Sequence, residues 1–467
     1  MDARSPGSIL LISCYELGHQ PLGAALPLAF LERAGFTPLV MDIAVEEFDE
    51  AKLARAEFIG ISVPMHTALR LGVRVVERVR EINPRAIVCL YGLYAVLNAN
   101  YLLDHGVDYC IGGEFETPLV HLVRTLAAAP NGHRASEVEG VIGRGSSPRP
   151  FLQRLPFAVP SRAALPPLEE YARLEHNGER RVVGYVEASR GCLHLCTHCP
   201  IPPVYDGRFF VIPQETVLED VRQQVRQGAT HITFGDPDFL NGPKHSLSIL
   251  RALHVEFPSL TFDFTAKVQH ILERREIFPE FGALGCLFMI SAVESLSDRV
   301  LTILEKHHTR ADLIEALKIV HGAGITLRPT WVAFTPWTTL SDYLEVMEFV
   351  EEQGLVDHVD PVQYTVRLLV PPGSYLVDRP AMREHLGPLD QSSFSYRWVH
   401  PDPRMDDLQK AVSRLVEADT SAEEDPAHTF YRVWGLAAKV AGTTLPQLRT
   451  IAGNRIRAPR LSEPWFC

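Results

Sequence analysis

Ser189-Arg190-Gly191-Cys192-Leu193-His194-Leu195-Cys196-Thr197-His198-Cys199-Pro200 crowds three of the chain's eight cysteines into one eight-residue window. It directly follows an apolar run, Val182 to Ala188, that reads as a strand. A loop after a strand of an α/β protein lies at the strand's carboxyl end, where such folds keep their sites. Three thiolates at C-x3-C-x2-C spacing suit a [4Fe-4S] cluster and leave one iron without a protein ligand. An open iron can chelate a substrate, as an open metal position does elsewhere. The competing reading is a structural zinc ion with His194 or His198 as fourth ligand. That pattern needs a second paired group of ligands downstream, and the sequence has none.

Outward from this loop, apolar stretches at 182–188, 230–235, 260–266, 286–293, 325–333 and 359–366 alternate with amphipathic helices. In one helix Val217, Val221 and Val225 recur at helical spacing before Gly228. Six βα units predict a partial (β/α)6 TIM-type barrel over 176–384. Upstream, Ser8 to Cys14, Thr37 to Met41, Phe58 to Val63, Ala86 to Leu90 and Tyr109 to Ile111 also alternate with helices. They predict a doubly wound, Rossmann-like α/β domain over 1–126. Turn-rich runs at Pro130-Asn131-Gly132 and Gly143 to Pro148 mark 127–175 as a linker. From 385 to 467 the chain reads as mostly helical and polar, with an acidic patch at Glu423-Glu424-Asp425.

The 467 residues suffice for two or three domains, and 46% hydrophobic content can fill their cores. A net charge of -12 argues against a general nucleic-acid binder. No apolar run approaches the length of a membrane span, and Ile9 to Ile12 is too short for a secretory leader. A soluble, cytoplasmic protein is expected. There, clustered cysteines point to metal rather than disulfides. Cys14, Cys89, Cys110 and Cys286 lie in or beside apolar strands, where core thiols are the default.

The cysteine spacing, preceded by Ser-Arg-Gly and a strand, resembles the radical S-adenosylmethionine (SAM) superfamily over about residues 180–370. The resemblance implies that Cys192, Cys196 and Cys199 hold the cluster and that its open iron binds the amino and carboxylate groups of SAM. One electron then cleaves a carbon–sulfur bond and yields a carbon radical. It implies a reductant such as flavodoxin or ferredoxin and a small-molecule substrate. His198 stands where the family usually has an aromatic residue near adenine, and its ring can stack; a solvent-facing loop histidine is the alternative. Asp236 and Asp238, in Phe234-Gly235-Asp236-Pro237-Asp238-Phe239, fall where the family binds the methionine end of SAM; an Asp-Pro turn is the alternative. Lys267 ends the third barrel strand and can reach the site, although a surface position is the commoner fate of a lysine. Ser291-Ala292-Val293-Glu294-Ser295 resembles the family's G-x-E-S segment, with Ala292 in place of glycine, and makes Glu294 and Ser295 SAM contacts. Arg328 is a candidate partner for the SAM carboxylate, or a structural ion pair.

Pro21-Leu22-Gly23, Gly60-Ile61-Ser62, Asn83-Pro84 and Gly106 to Glu114 resemble the cobalamin-binding domain that precedes many radical SAM cores. The D-x-H-x-x-G motif of some cobalamin proteins is absent. In Leu90-Tyr91-Gly92-Leu93-Tyr94 only one of the family's paired glycines is kept, and two tyrosines stand where the corrin would approach. A cobalamin site and a structural scaffold both remain open.

The terminus Pro464-Trp465-Phe466-Cys467 resembles the start of the tail in a radical SAM subgroup that ends in Cys-Cys- or Cys-selenocysteine-Ala-Glu-Pro. Some members are associated with arsenic natural products. That resemblance implies transfer of the 3-amino-3-carboxypropyl group of SAM to trivalent arsenic, arsenite for example, with Cys467 as a catalytic soft ligand. A truncation at a selenocysteine codon and an ordinary frayed end both account for the terminus. The expectation is a carbon–arsenic bond-forming transferase. Its alternatives are a cobalamin-dependent radical SAM methyltransferase and a non-catalytic iron–sulfur or zinc protein.

Overall fold

The computed structural model describes residues 4–128, 135–444, 455 and 457–463. The first sheet comprises β1 (Ile9–Ser13), β2 (Leu39–Asp42), β3 (Phe58–Ser62), β4 (Ile87–Tyr91), β5 (Tyr109–Ile111) and β6 (Val141–Ile142). Its order is β2-β1-β3-β4-β5-β6; the first five strands run parallel, and β6 pairs antiparallel with β5. All residues of β1 and β3 are buried, as expected of strands covered by helices on both faces. The strand order reverses between β1 and β3, which opens a crevice at their carboxyl ends.

The second sheet belongs to the barrel. Its strands are β7 (Arg173–His176), β8 (Glu179–Val186), β11 (His231–Phe234), β12 (Thr261–Thr265), β13 (Cys286–Glu294) and β14 (Thr326–Trp331). Between β8 and β11, β9 (Ser189–Gly191) and β10 (Phe209–Val211) pair as a small antiparallel ribbon around the cysteine loop. Strands β8, β11, β12, β13 and β14 are mutually parallel neighbours and form an open half-barrel.

The sixth expected strand, 359–366, is replaced by a 3-10 turn at Pro361–Tyr364, and one bridge, Phe334 to Arg367, is left of it. Pro361 has no N–H to offer a ladder. The Gln363 side chain takes its place: Oε1 accepts the Trp331 N–H at 3.0 Å.

The stretch expected as a linker is tied in at several points. It contributes β6, and buried Arg162 clamps Asp220 through two bonds of 2.6 and 2.8 Å while also donating to Gln20. Two helices, Pro403–Ser421 and Pro426–Ala441, cover the barrel through Met405, Leu408, Phe430 and Trp434. The helical region also holds a hairpin, β15 (Leu386–Asp390) with β16 (Ser395–Trp398), and β17 (Arg460–Leu461), which extends the barrel sheet beside β7. Val204 and Tyr205, just after the cysteine loop, pack in the same apolar core as Val63, Tyr94 and Val96 of the first domain. Among the described residues no helix is long and apolar enough to cross a membrane.

Candidate active site

The cysteine loop leaves β9 through Gly191, whose φ of +75° and a virtual Cβ only 2.4 Å from the Arg208 carbonyl exclude any larger residue. The loop is then bolted to the barrel. Thr197 donates its N–H to Leu304 O (3.1 Å) and its hydroxyl to Ile303 O (2.9 Å), and Ser374 Oγ donates to Thr197 O. Cys192 and Cys196 are buried and Cys199 is half-buried. Burial pushes the Cys199 thiol up to about 12 and raises that of Cys192 as well. Buried thiols of this kind ionise only when a metal binds them. The buried Lys306 ammonium is the protein's own cation bearing on Cys196 and Cys199.

The thiols' spacing speaks to the zinc alternative. Among the described residues, His194, Asp238 and His270 form the one set of at least three potential ligand atoms lying within 4.8 Å of one another. The three thiols do not converge this way, as a mononuclear ion would require. Nor is either loop histidine turned to complete a zinc site through Nε2. His194 Nε2 lies 3.4 Å from Asp238 and His198 Nε2 lies 3.2 Å from Glu294. Three thiols spread beyond the reach of one ion fit a four-iron cluster.

The barrel strands end around this loop. Asp236 accepts from Ala188 N (2.9 Å) and Ser189 Oγ (2.6 Å), and burial pushes its carboxyl up to about 7. Asp238 Oδ1 caps the turn that follows it by accepting the Leu240 N–H, while Oδ2 accepts the Lys267 N–H and touches both His194 and His270. Both aspartates, expected beside the SAM amino group, therefore already have protein partners. Arg328, expected near the SAM carboxylate, is instead paired with Asp360 at 2.7 Å and donates to Pro459 O. Ser295 Oγ accepts the Ser297 N–H.

Glu294 adopts a left-handed φ of +69° where β13 slips register against β14. Such a conformation in a non-glycine residue costs about 1–3 kcal/mol and persists only where surroundings enforce it. Lys306 Nζ and His198 Nε2, each 3.2 Å from Oε1, enforce it here. Burial would raise this carboxyl, but Lys306 and His198 outweigh it and hold it at about 2.

Several polar atoms around these strand ends are buried without any hydrogen-bond partner: Lys267 Nζ, Ser291 Oγ and both ring nitrogens of His308. Burial also pushes His308 down to about 4. Orphaned buried donors and acceptors are expensive, and their gathering here suits a polar ligand such as SAM. Lys306 and His308 escaped the sequence reading, which quoted Ser291 only as the start of the segment that resembles G-x-E-S. Lys306-His307-His308, a basic run just after a short helix, was the signal available.

A cavity of about 200 Å³ lies between the two domains. Gly23, Ser62, Pro64, Gly92 and Gly113 wall it from the first sheet, and Glu187, Arg190, Gly191 and Gly235 from the barrel. The tyrosines expected to block it turn elsewhere. Tyr91 is fully buried, donates to Gly23 O at 2.8 Å and packs against Phe115. Tyr94 is buried against His66. Gly92, at φ +110°, presents bare backbone to the cavity, and a Cβ there would press on Val63 and Pro64 at 3.2–3.3 Å. This backbone-lined floor suits a large flat ring. Behind it Arg190 joins the domains. It bonds Glu116 (2.6 Å) and Glu187 (2.9 Å), approaches Glu114 (3.6 Å), and lies over the rings of Phe115 and Phe157. Cys467 lies outside the described residues.

Comparison with known proteins agrees with this geometry. Residues 186–350 match the radical SAM superfamily and residues 9–123 match the B12 binding domain. The hopanoid C-3 methylase of Methylococcus capsulatus is 26% identical over 339 residues, 71% of this chain and 64% of the methylase's own length. The aqua-cobalamin-bound structure of OxsB, a cobalamin-dependent SAM radical enzyme, superposes with a TM-score of 0.69 at 15% identity, covering 88% of this chain and 67% of that one. TsrM, a radical SAM methyltransferase from Kitasatospora setae with cobalamin and a [4Fe-4S] cluster bound, gives 0.66 at 14% identity, covering 96% and 92%. None of these relatives is described as handling arsenic, so the arsenic expectation gains nothing from them. The chain thus joins a region that matches the B12 binding domain to a half-barrel that matches the radical SAM superfamily; the second match implies a [4Fe-4S] cluster and SAM as cofactors, and the first supports cobalamin.

Proposed function

We propose that the chain is a cobalamin-dependent radical SAM methyltransferase that acts on an unactivated carbon of a small molecule and draws electrons from a flavodoxin- or ferredoxin-type donor. One observation carries the reading. Gly191, adjacent to Cys192, and Gly92, at the end of β4, line the same cavity, so the cluster loop and the corrin-type floor face one space. The methyltransferases among its relatives support the same reaction class. When bound, the cluster supplies the electron that cleaves SAM, and cobalamin supplies methyl-carrying chemistry.

The chain's own residues bind and orient. Cys192, Cys196 and Cys199 hold the cluster. Lys267 Nζ and Ser291 Oγ, both buried and unpartnered, are the donors offered to the SAM carboxylate. Glu294 Oε1 is occupied by Lys306 and His198, which keeps the carboxylate charged and directs Oε2 to a ligand hydroxyl or ammonium. His198, fixed by the same carboxylate, sets its ring against adenine. Asp236 and Asp238 shape the loop from behind. The 200 Å³ cavity is smaller than a corrin and would have to enlarge to hold one.

The test is product analysis with cluster, cobalamin, SAM and reductant all present. Methyl transfer predicts 5'-deoxyadenosine and S-adenosylhomocysteine in equal amounts. Methylthioadenosine, with an arsenic-bearing amino acid formed only when arsenite is added, would overturn this reading in favour of aminocarboxypropyl transfer assisted by Cys467.

A further inference from the structure

We infer that His194, Asp238 and His270 hold a divalent ion of borderline hardness, zinc or ferrous iron, beside the cluster loop. The three come from three different elements: the cysteine loop, the end of β11 and the helix Val268–Glu273. His194 Nε2, Asp238 Oδ2 and His270 Nδ1 lie within 4.8 Å of one another. Asp238 is fully buried and His270 nearly so, and the two imidazoles sit with ring centroids 4.6 Å apart, tilted by 54°.

The angles distinguish a metal site from an ordinary hydrogen-bonded triad. His270 Nδ1 is 2.9 Å from Asp238 Oδ2 and His194 Nε2 is 3.4 Å from the same oxygen. Neither contact meets hydrogen-bond angles, although both imidazoles act on the Asp238 carboxylate at these distances. Two imidazole nitrogens and a carboxylate oxygen that converge off the hydrogen-bond axis aim at a common point. Two nitrogens and one oxygen with further positions open is a donor set for zinc or ferrous iron rather than for calcium or magnesium.

Asp238 is itself oriented by the Leu240 and Lys267 N–H groups, the kind of support that fixes a ligand's direction. Lys267 is the opposing feature, since its ammonium bears on His194. The ion would tie the cysteine loop to the barrel at His194, as the bonds of Thr197 to backbone carbonyls do three residues later. It stands apart from methyl transfer and from the cluster itself, and it predicts a metal that neither family match implies.

The experiment uses the full chain with its cluster reconstituted anaerobically, titrated with Zn2+ alone and then measured by X-ray absorption at the zinc edge. The expected result is one zinc per chain with nitrogen and oxygen ligands and no sulfur. H270Q and H194Q should each weaken binding by at least about tenfold, as loss of even a ligand's supporting partner does, while keeping the cluster's visible absorption. K267M, which removes the opposing charge, should tighten it. A high-spin ferrous Mössbauer component, present without zinc and lost in H270Q, would identify iron as the resident ion. Zinc on sulfur ligands would overturn the proposal, because it would place the ion on the cluster thiols. Unchanged binding in both H270Q and H194Q would overturn it as well.

Discussion

The two parallel sheets end their strands in different chemistry. Around the first sheet the cavity is walled by small residues, Gly23, Ser62, Pro64, Gly92 and Gly113, with Glu16, Leu22, Leu93 and Phe115 between them. Around the barrel the strand ends carry Asp236, Asp238, Lys267 and Glu294, all buried. A broad, flat ligand is held by close backbone approach over a wide area, so its site needs absence of side chains. A small zwitterion is held by point charges, so its site needs charged groups kept dry and pre-aimed. The hinge between the two is Arg190, which reaches from the residue before Gly191 to Glu114 and Glu116 of the first domain.

The comparison breaks first at the thiols. Replacing Cys192, Cys196 or Cys199 with Ala should abolish the cluster's visible absorption and all SAM cleavage while leaving cobalamin absorption in place. Loss of both together would mean that the two sites are not separable.

Next in size is Arg190→Met. It leaves Glu116, Glu114 and Glu187 without their shared cation, and removing one partner of a buried ion pair costs about 3–5 kcal/mol. Urea unfolding should show that loss. A change below about 1 kcal/mol, the scale of a surface pair, would show that the network is not the hinge.

Gly92→Val sharpens the contrast between the domains. The +110° φ and the nearness of Val63 make any side chain strained, and the β-carbon narrows the floor. Cobalamin affinity should fall by at least about tenfold, equivalent to about 1.4 kcal/mol, with SAM affinity unchanged.

The smallest effect concerns Glu16, which accepts from the Leu22 and Gly23 N–H groups at the cavity's edge. Burial pushes its carboxyl up to about 8 from an ordinary 4.5. The folded chain then keeps a proton that the unfolded chain releases, so this residue's contribution to stability declines as pH rises from 4.5 toward 8. Glu16→Gln should flatten that slope in melting curves recorded across the range. An identical slope would mean that the carboxyl is ordinary.

Much of this was legible in the residues. The strands of both sheets are apolar runs bounded by Gly and Pro, and the cysteine loop is local, so its spacing survives in one dimension. What escaped was long-range. Lys306 meets Glu294 across the six-residue helix Asp298–Ile303, too short to show a face. His270 meets Asp238 from a helix of six residues, too short to show a face. Arg328 read as a ligand because its partners, Asp360 and Pro459, lie 32 and 131 residues away. Residues 359–366 read as a strand because Val362 and Tyr364 alternate with polar neighbours, a pattern that a proline-led 3-10 turn also satisfies. The tyrosines of 91 and 94 read as obstacles because a sequence does not say which face of a strand end each ring takes.

The account rests on both cofactors sharing one cleft. The direct measurement is pulsed electron paramagnetic resonance on the chain loaded with a reduced cluster and cobalamin in its cobalt(II) state. A resolved dipolar coupling between the two centres, lost in Gly92→Val, is the predicted result. Two independent signals with no coupling would place the cofactors in separate sites and contradict the shared cleft.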